Sequence, residues 1–301
     1  MKKFVFKLFL FFVLCFVMDQ FFDFSARYLF DHAKSGSTEK NKYISDKTNE
    51  DILIFGSSRG VHHYDPQIIE DSLKMTCYNC AYDGCGIITA YGLLVALLEH
   101  YTPRVIIYDV MPVFDYLESG SNNKYLGPLK LIYDKNGIDS IFINISPNEK
   151  WKMMSYMYRI NSKLIVLLSE NLMVRNQTIK GYLPRNEQMY YEPNIKEHEE
   201  KIVYDKIKVF YLKRFISTCK NKGIKLVFFV SPSYKKTDDY QFKYIYKLAQ
   251  HEGIPCISHY CDTSFVKNKN LFYDSVHMNQ KGATEYTKMI ISELKQILNS
   301  N

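Results

Sequence analysis

Apolar and polar positions fall into three regimes along this chain. Residues 4–18, FVFKLFLFFVLCFVM, are apolar on every helical face, with Lys7 as the one charge, and Lys2 and Lys3 precede them. Such a run is short for a spanning helix of about 20 residues, but with Phe21 and Phe22 added and Lys7 snorkelling it can cross a bilayer. Residues 33–50, AKSGSTEKNKYISDKTNE, show no apolar period and read as a polar linker. From Asp51 short apolar runs alternate with amphipathic stretches. The strands expected are Ile52–Ser57, Cys77–Ala81, Val105–Val110, Ile224–Val230 and Ile254–Ser258. The helices expected are Pro66–Lys74, Ile87–His100, and segments near 199–221, 238–251 and 279–298. Asp65 is placed to cap the first of these, with Pro66 at the first helical position.

Continuous apolar strands separated by helices imply an α/β fold, a central parallel sheet of about five strands covered on both faces. Residues 113–197 break the rhythm. Their many rings, among them Tyr116, Tyr125, Trp151, Tyr182 and Tyr190, argue for a folded helical insertion that covers the mouth of a site. The expected organisation is therefore an anchor at 1–32, a linker at 33–50, and a domain at 51–301 carrying the insertion 113–197. No small-x-small cleavage site follows the apolar run, which favours an uncleaved signal anchor over a signal peptide. The two lysines would then stay in the cytoplasm, with the domain periplasmic or extracellular.

Composition narrows the function classes. The 301 residues are 47% hydrophobic and 24% charged, with a net charge of +7 and lysines spread rather than clustered. No recognition helix, RNP-like motif or zinc-finger spacing is present, so no nucleic-acid partner is expected. Of seven cysteines, Cys77-x-x-Cys80 has redox or zinc spacing but lies in an expected strand and lacks a second pair. Buried thiols are the expectation, with a disulfide as the alternative, and no metal or cofactor. Asn144-Ile-Ser and Asn176-Gln-Thr match the glycosylation sequon.

Three segments leave strand ends with chemistry-bearing residues, where ligands bind in open α/β sheets. Phe55-Gly56-Ser57-Ser58-Arg59 turns from strand to helix and exposes a hydroxyl; an N-cap or a phosphate cradle are the other readings. Asn79-Cys80-Ala81-Tyr82-Asp83-Gly84 brings a glycine backbone close to a ligand. Asp274-Ser275-Val276-His277 can aim a carboxylate and an imidazole to one side, or can be a cap beside a surface histidine. Arg59, His62 and Asn79 are candidates to touch substrate; Arg59 could equally tie its loop to a carboxylate, and His62 and His63 could pack the helix entry.

In this order the segments resemble the SGNH/GDSL hydrolase superfamily over about residues 51–110 and 224–298, with Met278-Asn279-Gln280-Lys281-Gly282 also similar. The resemblance implies a flavodoxin-like three-layer sandwich and a serine esterase or O-acyltransferase. Ser58 is then the nucleophile, Asp274 and His277 its partners, and the backbone N–H groups of Ser58 and Gly84 the oxyanion donors. One block departs from the pattern: a Gly-x-Asn-Asp is expected after the third strand, and Asp109-Val110-Met111-Pro112 stands there, with no Asn to donate. Membrane-tethered relatives that move acyl groups on surface polymers resemble this variant. They imply an acylated or acyl-accepting polysaccharide, the membrane, and a membrane acyl-donor protein as partners. The alternatives are an inactive SGNH-fold binding or scaffold protein and a soluble intracellular esterase.

Overall fold

The computed structural model describes residues 1–160, 163–173, 178–193, 202–235 and 239–299. Two helices come first, α1 (Lys2–Asp31) and α2 (Gly36–Asp46). The sheet domain follows as β1 (Ile52–Gly56), α3 (Ser58–His63), α4 (Pro66–Leu73), β2 (Cys77–Asn79), α5 (Ile87–Leu97) and β3 (Val105–Asp109). The insertion contributes α6 (Pro112–Asp115), a 3-10 segment (Asn122–Ile132), α7 (Ile138–Ile145), α8 (Glu149–Lys152), α9 (Tyr156–Ile160) and α10 (Leu164–Leu172). The chain ends with α11 (Lys206–Asn221), β4 (Lys225–Val230), α12 (Lys243–Glu252), β5 (Cys256–Ser258) and α13 (Gln280–Asn299).

The five strands pair in parallel, in the order β2-β1-β3-β4-β5. Successive strand side chains point to opposite faces, and the core divides accordingly. Leu53, Phe55, Ile106, Tyr108, Leu226 and Phe228 pack beneath α5, α11 and α12. Ile52, Ile54, Val105, Ile107, Val227 and Phe229 pack beneath α4 and α13. This is the α/β three-layer sandwich that the strand pattern implies. The elements match the expected ones to within a few residues, apart from two starts. Helix α11 begins at Lys206, and positions 199–201 lie outside the described residues. Helix α12 is preceded by a 3-10 turn at Tyr240–Phe242, with 238 also outside.

The segment read as a linker is not one. Residues 36–46 form α2, which packs on α5 and buries Ile44 completely, together with Thr38, Lys40, Asn41 and Ser45. Most of its buried polar groups are partnered in space, Asn41 Oδ1 being the exception. The Lys40 ammonium donates to Ala81 O at 2.6 Å and Gly181 O at 2.9 Å, and Asn41 Nδ2 donates to Pro128 O at 2.5 Å. Buried polar groups are tolerated when hydrogen-bonded, so a helix with a polar sequence can still be a core helix. Cys77 and Cys80 are buried free thiols in and beside β2, as expected, and burial pushes both above the ordinary thiol value.

The insertion is helical, as its rings suggest. Tyr116, Tyr125, Phe142 and Tyr182 are buried in it, while Trp151 and Tyr190 are exposed. Asn144 spends its side-chain amide on Tyr211 OH at 3.1 Å, and the sequon at Asn176 lies outside the described residues.

Candidate active site

Strand β1 delivers its chain to α3 through Gly56-Ser57. Gly56 sits at φ +145°, where a Cβ would come 2.8 Å from Asp109 O, so only glycine lets β1 and β3 end this closely. Ser57 is the N-cap of α3 and Ser58 its first residue. Ser58 remains half-exposed while residues 52–57 and 59–64 on either side are buried. Its amide is among those a helix start leaves without an intrahelical acceptor.

The Asp274–His277 turn is closed by its own backbone. Asp274 Oδ1 accepts from Val276 N at 2.7 Å and His277 N at 2.8 Å, and Oδ2 lies 2.8 Å from His277 Nδ1. A carboxylate accepts only, so Nδ1 carries the proton and Nε2 is left as acceptor. Nε2 lies 2.8 Å from Ser58 Oγ. Burial acts to raise the Asp274 pKa. The His277 hydrogen bond and the two backbone N–H groups outweigh it and bring the value down to about 2. The carboxylate is thus ionised at neutral pH, and the imidazole is held in the tautomer that can take a proton from Ser58.

A second histidine fixes this turn. His63 is buried, and its Nε2 accepts Met278 N–H at 3.0 Å. Its Nδ1 then donates to Ser231 Oγ at 2.8 Å. Desolvation, and after it the neighbouring Arg59, keep the His63 pKa well below its ordinary value, so the ring is neutral. His63 therefore ties the residue after His277 to the end of β4.

The loop from β2 to α5 is fastened over β1: Tyr82 N donates to Gly56 O at 3.2 Å and Cys80 N to Ile54 O at 2.7 Å. Gly84 follows two residues on, with φ +66° and open space where a side chain would stand. Beyond it opens a cleft of about 450 Å³ lined by Asp83, Gly84, Val61, Lys40, Lys124 and Lys163. No group of His, Cys, Asp or Glu among the described residues could hold a metal ion.

The three expected substrate contacts face inward instead. Arg59 is 2% exposed; its Nε donates to Ser231 Oγ at 2.9 Å, its Nη2 to Ser231 O at 2.5 Å, and Asp109 Oδ1 lies at 3.4 Å. Of its two sequence readings, the tie to a carboxylate is the one realised. Asn79 Nδ2 donates to Gly60 O at 2.8 Å and its Oδ1 accepts from Ala81 N at 3.1 Å, so, fully buried, it braces the two loops. His62 is fully buried, with Nδ1 on Leu183 O at 2.7 Å and its ring centroid 5.5 Å from that of His277. Asp109, at the place of the missing block, accepts Tyr64 OH at 2.5 Å and Ser231 N at 3.1 Å. It is a buried strut and presents nothing to a substrate.

Sequence reasoning missed Arg185. This insertion residue sets Nη2 3.1 Å from His62 Nε2 and its guanidinium over the Tyr273 ring, next to Asp274. Asp83 Oδ1 shares the same His62 nitrogen at 3.0 Å. Burial acts to raise Asp83, but His62 and Arg185 hold its carboxyl below the usual range. The segment around Arg185 has no local pattern, so no sequence signal could have placed it here.

No family model matches this sequence, and no curated protein matches it. Among solved structures, a crystal structure from Bacteroides fragilis NCTC 9343, described as a "putative acylhydrolase", is similar at 11% identity. The match covers 86% of this chain and 94% of that one with a TM-score of 0.41. At that level the likeness decides nothing about chemistry, which has to come from this chain's own residues.

Proposed function

We propose that this protein is a membrane-anchored serine enzyme that hydrolyses esters or transfers O-acyl groups on an extracytoplasmic glycan through an acyl-Ser58 intermediate. The observation that carries this is the Ser58 Oγ to His277 Nε2 approach of 2.8 Å, with His277 Nδ1 on Asp274 at 2.8 Å. A weak hydroxyl nucleophile needs an adjacent base, and the base needs an orienting group. All three are in line, at strand ends where open α/β sheets bind ligands.

Ser58 Oγ attacks the acyl carbonyl carbon while its proton passes to His277 Nε2. The oxyanion forms against backbone N–H groups, those of Ser58 and Gly84 in this reading. The ester C–O bond then breaks, and the leaving alkoxide takes the proton from His277. Water or a sugar hydroxyl next gives its proton to His277 and attacks the acyl-Ser58 carbonyl, and Ser58 Oγ leaves with that proton. Asp274 stays ionised throughout and stabilises the imidazolium. The turnover uses only groups of the chain and the two substrates.

Helix α1 is long and apolar enough to cross a membrane, with none of its apolar window buried. That supports a single-pass anchor, and Lys2 and Lys3 support an extracytoplasmic domain. A second reading, a binding protein that keeps the fold, is favoured by Asp109, since the strand end that carries a side-chain oxyanion donor in the resembled family holds a buried strut here. Fluorophosphonate labelling separates them. The intact protein should label and Ser58→Ala should not; absence of labelling in the folded wild type leaves the binding reading. A chromogenic acetyl ester with and without a glycan acceptor then tells transfer from hydrolysis.

A further inference from the structure

Helices α8, α9 and α10 leave large apolar side chains in the open: Trp151 (69% exposed), Met154 (66%), Met157, Ile165 (82%), Leu168 and Leu172 (81%). On α10 the three fall at i, i+3 and i+7, one face of the helix. Its other sides are used. Leu167 packs with Ala26 and Ile160, Asn171 Nδ2 donates to Leu29 O at 2.8 Å, and Glu170 accepts from Ser37 N and Thr38 N at the start of α2.

These helices are seated on α1 at a definite height. The Asp19 carboxylate accepts from Ser155 Oγ at 2.8 Å, Tyr156 N at 3.0 Å and Met157 N at 2.8 Å, so it caps the start of α9. The side of α1 turned away from them stays exposed, with Phe21 at 67% and Phe24 at 71%.

Helix length then fixes where the bilayer ends. Residues 4–18 rise about 22 Å at about 1.5 Å per residue, short of a hydrocarbon core of about 30 Å. Continuing to Phe24 gives about 31 Å by the same rise. A bilayer spanned by α1 therefore reaches the level of Asp19–Phe24, the level at which α9 begins. At that depth a bare carboxylate would be costly, and Asp19 has three donors. Trp151 stands between Lys150 and Lys152, a ring flanked by cations of the kind found at membrane interfaces, with Lys152 Nζ donating to Glu149 Oε1 at 2.8 Å.

We propose that α8–α10 are a second membrane contact, with their exposed apolar side chains immersed in the leaflet beside the anchor. The partner is the lipid bilayer itself, and the inference rests on the reading of α1 as a spanning helix. Anchor and insertion together then hold the domain in one fixed orientation at the surface, instead of letting it swing on a tether.

Trp151 is the single tryptophan of the chain, so its emission reports this surface alone. The full chain is reconstituted into phosphatidylcholine vesicles with or without brominated acyl chains. Trp151 emission should fall at least two-fold in the brominated vesicles. In Trp151→Phe/Phe210→Trp the reporter moves to an exposed position on α11, and its emission should not change. Ile165→Glu with Leu172→Glu should restore at least half of the Trp151 emission. Vesicle flotation separates the two readings. Protein that fails to float sinks the anchor itself. Floating protein with unquenched Trp151, equal quenching of both reporters, or quenching indifferent to the two glutamates overturns the second contact and leaves the anchor standing.

Discussion

His63 Nε2 accepts the backbone N–H of Met278 at 3.0 Å, so one buried imidazole fixes the chain that carries another. Under the proposed function His63 touches no reacting atom and acts as a positioning residue. His63→Phe should lower kcat at least ten-fold with KM little changed, while His63→Gln, which can still accept and donate, should recover part of the rate. A parallel loss of KM and kcat in both variants would reduce His63 to a packing role.

The same residue has a signature in stability. Its folded pKa is depressed, so the unfolded chain takes the proton first as pH falls. Stability from this group is complete above about pH 6.5, the ordinary histidine value, and is lost below it. Denaturant melts of the wild type and His63→Gln between pH 5 and 8 should converge as pH falls, because the variant lacks that proton uptake.

Asp274→Asn should fold, since an amide oxygen can still accept from Val276 N and His277 N. It releases the tautomer, however, and under the proposed function kcat should drop by about 10⁴-fold, the loss known for the Ser-His-Asp triad. With the native Asp274 pKa near 2, the acid limb of the wild-type rate profile should not track Asp274; a limb that disappears in the asparagine variant would contradict this.

Arg59 and Asp109 are both nearly inaccessible and 3.4 Å apart. Removing one partner of such a pair leaves a buried charge and costs about 3–5 kcal/mol. Arg59→Met should therefore melt far below the wild type. Arg59→Lys should not rescue it, because a lysine cannot reach Ser231 Oγ, Ser231 O and Asp109 with one planar fork.

Lys40 supplies a test of α2. Desolvation lowers its pKa to about 8 from an ordinary 10.5. Between these values the unfolded chain holds the proton and the folded chain does not, so this group makes stability rise with pH across that window. Urea melts at pH 8, 9 and 10 should show the rise in the wild type and a flatter course in Lys40→Met; equal slopes would mean that α2 is not the buried helix described here.

How much of this was legible beforehand follows from where each interaction lies. The strands β1, β3 and β4 announce themselves because a strand buried on both faces must be apolar at every position, and ILIF, VIIY and KLVFFV are nearly so. Asp274 and His277 are legible because their geometry is local: three residues apart, with the carboxylate closed onto the amides of its own turn. Ser58 is legible only in combination, because a glycine-serine turn after a buried strand is equally a common N-cap, and its order with the Gly84 and Asp274–His277 segments is what singles it out. What no local pattern contains is who meets whom across the sheet. Ser58 and His277 are 219 positions apart, and only the parallel strand order brings their loops to one edge. Arg59, His62 and Asn79 stand at the right places to greet a substrate, yet tertiary acceptors turn all three inward. Residues 36–46 have a solvated sequence and a buried helix. The common cause is that a polar side chain carries the same signal whether water or a distant carbonyl satisfies it. Composition and spacing register the polarity; only the fold decides the partner.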